Sequence, residues 1–160
     1  VGEKRVLVLN FVGKVFSNVL TDNPFRSLDK ILVETAGLEP NAVLVDFHAE
    51  ATSEKVAFGW HADGRAAAVW GTHTHVPTRD ERILKDGTAY ITDVGMTGLR
   101  DGVIGVEREP ALCSFTDQLP MRNSVPSSGE AVVNALLLDV DPNDGTAKTI
   151  THIQKTITIR

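Results

Sequence analysis

Apolar residues recur along this chain in two rhythms, and the switches between them mark out its elements. Residues 5–10 (RVLVLN) form a short aliphatic run that predicts a strand. Asn23 followed by Pro24 is helix-start chemistry, a capping side chain ahead of a residue whose fixed φ suits the first turn. Phe25, Leu28, Ile31 and Leu32 then fall on one helical stripe, and Gly37 is the expected stop. Residues 42–47 (AVLVDF) are a continuous apolar run, the pattern of a strand buried on both faces in a parallel sheet. A second helix is expected over residues 53–63, closed by Gly64, then a buried strand over 66–70 (AAAVW) and a fourth over 88–92 (TAYIT).

Strand, helix, strand, helix, strand predicts an α/β sheet built with right-handed crossovers. Residues 98–129 have no clean period and contain Pro110, Pro120 and Pro126, so they read as mostly loop with room for a short helix. Two later segments, 131–139 and 147–159, alternate with period two, and the Asp-Pro-Asn-Asp-Gly run at 141–145 between them is hairpin-turn chemistry. The expected class is therefore α/β, of the α+β sandwich type, with a sheet flanked by helices and a late β-hairpin.

Composition changes this picture little. With 160 residues, 42% hydrophobic and 23% charged, the chain fits one domain with a sizeable core. Its net charge of −5 comes from interspersed acids and bases, with no basic stripe, which argues against a nucleic-acid groove. No apolar run approaches the ~20 residues that span a bilayer, and no signal-peptide pattern opens the chain. The lone cysteine, Cys113, has no basic neighbour to activate it and reads as a small semi-buried hydrophobe, in keeping with a reducing, cytoplasmic setting. The Val-Gly-Glu-Lys opening without Met reads as a cut inside a larger protein.

Chemistry concentrates at three of the five histidines. His48 follows the strand at 42–47, and His73 and His75 follow the strand at 66–70. One right-handed crossover puts the carboxyl ends of those strands on the same edge of the sheet, where open α/β sheets hold their ligands. Three imidazoles can converge there on one metal ion or two close ones. As ordinary polar loop residues they would carry no such meaning, but a third His at the neighbouring strand end favours metal ligation. Asp46 and Glu50 flank His48 and could orient its second nitrogen; Glu50 and Glu54 could equally serve a helix N-terminus capped by Thr52 or Ser53. Gly71 and the threonines at 72 and 74 leave room for a metal, and Thr74 offers a supporting hydroxyl. His61 reads as a surface or packing residue, and His152 as a structural one. The sequence contains no GxSxG elbow, P-loop or GxGxxG.

Taken together, VDFHAEATSEK (45–55), GTHTHVPT (71–78), ITDVGMTG (91–98) and DNPF (22–25) resemble the YmdB-like branch of the calcineurin-type metallophosphoesterases. The resemblance implies a β-sandwich flanked by helices and two divalent ions, Fe, Mn or Zn. His48 and His73 would hold one ion and His75 the other. It also implies hydroxide attack on phosphorus, best described for 2′,3′-cyclic nucleotides. The family's N-terminal half carries an Asp, a bridging Glu and a GNH motif whose His is the proton donor. Residues 1–160 hold none of these, so the chain reads as the C-terminal part of the domain, with its catalytic proton donor elsewhere. The expected partner is a small phosphodiester or cyclic nucleotide, with self-association or pairing with the other half as further options.

Two other readings stand beside this one. An amidohydrolase also places HxH after a strand, but needs an eight-stranded barrel of about 250 residues. An isolated half-domain would bind metal or a partner without turnover, and its open sheet edge would favour association.

Overall fold

The computed structural model describes residues 4–160. A five-stranded sheet, ordered β1-β2-β3-β5-β4, carries the first half of the chain: β1 (Val6–Val12), β2 (Ala42–His48), β3 (Ala68–Thr72), β4 (Arg82–Ile83) and β5 (Ala89–Ile91). β1, β2, β3 and β5 run parallel, and short β4 is antiparallel to β5. Helices α1 (Pro24–Thr35) and α2 (Thr52–Ala62) form the first two crossovers. Because β1, β2 and β3 are successive neighbours, right-handed connections put both helices on one face.

That face holds the main core. Val43, Val45 and Phe47 of β2 point into it and are fully or almost fully buried, as are Leu28 of α1 and Phe58 of α2. Phe58 stacks on Phe47 with ring centroids 4.2 Å apart, and the edge of Phe25 meets it at 5.3 Å. Burying such side chains contributes roughly 1.5–3 kcal/mol each. α1 starts as its residues dictate: the Asn23 side chain accepts from the backbone N–H groups of Phe25 and Arg26, at 3.0 and 3.3 Å.

The opposite face is covered by a three-stranded antiparallel sheet of β6 (Gly98–Leu99), β7 (Gly129–Val140) and β8 (Ala147–Ile159). Ala68 and Ala89 meet Ala147 there, among Leu44, Trp70, Leu138 and Ile150. The result is the expected mixed α/β fold with a late hairpin. Among the described residues, no helix is long and apolar enough to cross a membrane.

Several details depart from the sequence reading. β2 is fully buried on one face only; Ala42, Leu44 and Asp46 on the other are half-buried, because the second sheet covers that side incompletely. Gly37 does not stop α1: a 3-10 turn, Ala36–Leu38, runs through it and the left-handed residue is Glu39, at φ 47°. Gly64 does close α2, at φ 74°. The segment at 98–129 contains β6 and a real helix, α3 (Arg108–Thr116), with Pro110 inside the first turn, where its missing N–H costs nothing. Cys113 on α3 is exposed rather than semi-buried.

Candidate metal centre at the carboxyl edge of the sheet

His48 is the last residue of β2 and pairs in register with Thr72, the last residue of β3. His73 follows at once, so the parallel ladder itself brings the two imidazoles together. His48 Nε2 and His73 Nδ1 stand 3.0 Å apart, with the rings nearly perpendicular at 85°. His75 lines the same cleft of about 210 Å³ together with His48 and His73.

The partners of the outer nitrogens fix which atoms face inward. Asp46 Oδ2 accepts from Asn10 Nδ2 at 2.9 Å, and Asp46 Oδ1 accepts the Thr72 hydroxyl at 2.8 Å. With its hydrogen committed to Asp46, the Thr72 oxygen accepts from His48 Nδ1–H at 3.1 Å. His73 Nε2 stands 2.9 Å from Glu50 Oε2, an ion-pair contact. With its proton on Nδ1, His48 turns the lone pair of Nε2 toward His73 Nδ1, 3.0 Å away.

Two ring nitrogens at that distance can share a proton or, in its place, a metal ion. For metal–nitrogen bonds of about 2.0–2.1 Å, two ring nitrogens on adjacent positions of one ion lie roughly 2.9–3.4 Å apart. The donor set thus fits a divalent ion shared by His48 and His73. His75 is held differently: its Nδ1 donates to Ile104 O at 2.8 Å, leaving Nε2 as its acceptor. Among the described residues, no three His, Cys, Asp or Glu side chains converge on a single metal position.

The predicted supporting residues sit at this edge, with their partners assigned by geometry. Asp46 reaches His48 through Thr72 rather than directly, Glu50 touches His73, and Thr74 bonds neither imidazole. Thr74 instead gives both its backbone N–H (3.1 Å) and its hydroxyl (2.7 Å) to Asp93 Oδ2. Glu54 sits in the first turn of α2, whose N-cap is Ala51 with no side-chain cap bond, and its carboxylate accepts the backbone N–H groups of Lys14 and Val15. His61 ties α2 to Asp29 of α1 at 3.0 Å, and buried His152 bonds Val94 O, so both pack as the sequence suggests.

Gly71 has a role the sequence reading missed. A Cβ there would lie 1.7 Å from the Thr92 carbonyl oxygen and 2.9 Å from Lys55 Cδ. Its smallness admits the neighbouring strand end and a lysine stem, not a metal. Lys55 and Asp93 were missed too: they form a buried ion pair, 2.8 Å long and 1% and 2% exposed. The available signal was helical spacing, because Lys55 shares the buried face of α2 with Phe58, Gly59 and Ala62. Burial pushes the Asp93 carboxyl up, but bonds from Lys55, Thr74 and the Gly95 N–H outweigh it and hold the group below 3.8.

Comparison with known proteins agrees with this architecture. A family model described as YmdB-like protein matches residues 1–153. A 2′,3′-cyclic-nucleotide 2′-phosphodiesterase of Bacillus subtilis is 48% identical over 92% of this chain and 54% of its own length. A crystal structure of a hypothetical protein from Thermus thermophilus superposes with a TM-score of 0.88 at 41% identity, over 100% of this chain and 60% of the other. A crystal structure of a novel phosphatase from Mycoplasma pneumoniae gives 0.85 at 34%, over 95% and 53%. The chain thus spans little more than half the length of these relatives. With the match running through both sheets and every histidine of the cleft, this chain belongs to the YmdB-like protein family.

Proposed function

We propose that residues 1–160 are the C-terminal part of a metal-dependent phosphodiesterase domain. His48 and His73 would share one divalent ion and His75 would hold a second, each Fe, Mn or Zn. The observation that carries this reading is the pair of imidazole nitrogens facing each other across 3.0 Å at the strand ends. The naming of a 48% identical relative as a 2′,3′-cyclic-nucleotide phosphodiesterase supports cyclic nucleotides as the substrate class of the parent protein.

The chain's own residues prepare the edge for that role. Thr72, directed by Asp46, holds the His48 proton on Nδ1 and leaves Nε2 free for a cation, and the Glu50 carboxylate stands 2.9 Å from His73 Nε2. Bound there, divalent ions would supply Lewis-acid polarisation of a phosphoryl oxygen. The group that protonates the leaving oxygen would lie in the other half of the parent domain.

A second reading applies to the isolated chain, which would bind metal or a partner without turnover. It is favoured by the absence, among the described residues, of a third donor converging with His48 and His73. Zn²⁺ and Mn²⁺ titrations of wild type and His73→Ala, with 2′,3′-cyclic AMP hydrolysis by both, decide between these outcomes. Metal bound by wild type and weakened at least about 100-fold in His73→Ala supports the site. Equal binding in both proteins removes it. Hydrolysis that disappears with His73 would mean the chain is active by itself.

A further inference from the structure

Thr74 lies between the two histidines of the loop, and both neighbours adopt left-handed backbone, with φ of 106° at His73 and 67° at His75. Neither is glycine, and such conformations persist in other residues only where surrounding contacts impose them. Thr74, between them, is bonded to one carboxylate. Asp93 Oδ2 accepts the Thr74 N–H, the Thr74 hydroxyl and Lys55 Nζ, at 3.1, 2.7 and 2.8 Å. Asp93 Oδ1 accepts the Gly95 N–H at 2.9 Å, and the Asp93 backbone N–H bonds the Thr78 hydroxyl at 3.0 Å.

We propose that Asp93, charge-balanced by buried Lys55, is the positioning residue of this centre. It pins Thr74 and thereby sets the backbone that aims His73 and His75 into one cleft. The inference rests on the metal-site reading above for its purpose, though the pinning itself does not require metal.

Three features make the clamp more than a local turn. It joins the end of β5, the first turns of α2 and the loop after β3, elements far apart in sequence. Its carboxylate is almost entirely out of water, where an ionised group must be paired and fully hydrogen-bonded to persist. And β3 has a glycine at the one place where a side chain would push Lys55 and the β5 end away.

The test uses the whole chain with Zn²⁺ alone as the probe. Calorimetric affinities are compared for wild type, Asp93→Asn, Thr74→Val and Thr74→Ser, beside amide hydrogen exchange of residues 73–76 in the metal-free proteins. Asp93→Asn strands the Lys55 charge and can unfold, so Thr74→Val, which keeps the side-chain volume and leaves the Lys55–Asp93 ion pair in place, is the deciding variant. Thr74→Val should weaken Zn²⁺ about ten-fold, the scale of losing a group that orients a ligand, and Thr74→Ser should restore wild-type affinity. Metal-free Thr74→Val should also exchange its His75 and Thr74 amides faster than wild type. Unchanged affinity in a Zn²⁺-binding protein overturns the proposal. If wild type itself binds no Zn²⁺, the metal reading falls. The clamp is then judged by exchange alone: faster in Thr74→Val and normal in Thr74→Ser upholds it, and no change overturns it.

Discussion

Two carboxylates stand behind the histidines, and they work under opposite conditions. Asp46 acts at the half-buried rim of the sheet, passing its influence to His48 through the Thr72 hydroxyl, with Asn10 from the neighbouring strand as its other partner. Asp93 acts from the interior, through the Thr74 hydroxyl and backbone, with Lys55 as its counter-charge. The relay chemistry is the same, carboxylate to threonine to the histidine segment. The surroundings differ. Water can replace a lost partner of Asp46, whereas nothing can replace a lost partner of Asp93. The rim relay should therefore matter to binding alone, and the interior one to binding and folding together.

The sharpest way to break this contrast is Lys55→Met, which leaves the Asp93 charge buried without its partner. We expect a loss of about 3–5 kcal/mol in urea unfolding, the usual result of removing one half of a buried pair. A loss within about 0.5 kcal/mol, the range of an ordinary surface substitution, would show the pair to be hydrated in solution. Next in size, Thr72→Val should weaken Zn²⁺ about ten-fold by taking away the His48 acceptor. Its unfolding midpoint should stay close to wild type, because the site is only half-buried; a large loss of stability would erase the distinction between rim and interior.

The smallest effect concerns acid. The folded-state value of Asp93 lies below 3.8, so its contribution is complete above that pH and is lost as pH falls through the folded value. Urea midpoints should thus show no step from this group between pH 5 and 8 and should decline below about pH 3.8. In Thr74→Val, which lacks one of the bonds holding the group down, the decline should be smaller and should end at a higher pH.

The positions of the histidines were legible because they depend on the parallel ladder alone. An apolar run that ends in Phe47-His48 and another that ends before His73 must bring those residues to one edge. The pairing of supports was not legible, since sequence adjacency puts Glu50 beside His48 while the turn into α2 swings it to His73. Thr74 resembled a neighbour of metal because nothing in GTHTH reveals that its hydroxyl points toward Asp93. β4 and β6 escaped notice because two-residue strands have no period to detect. Lys55 was hidden by its charge: a lysine in a helix reads as surface until its place beside Phe58 and Ala62 is taken seriously.

Gly71 shows how little mutational room the centre has. Every other amino acid reachable by a single change carries at least a methyl group, and 1.7 Å from the Thr92 oxygen leaves no space for one. An Ala there would push apart the strands that carry His73 on one side and Asp93 on the other. Drift at this position is therefore closed: a lineage that loses the glycine loses the histidine geometry in the same step, with no half-working intermediate from which to repair it.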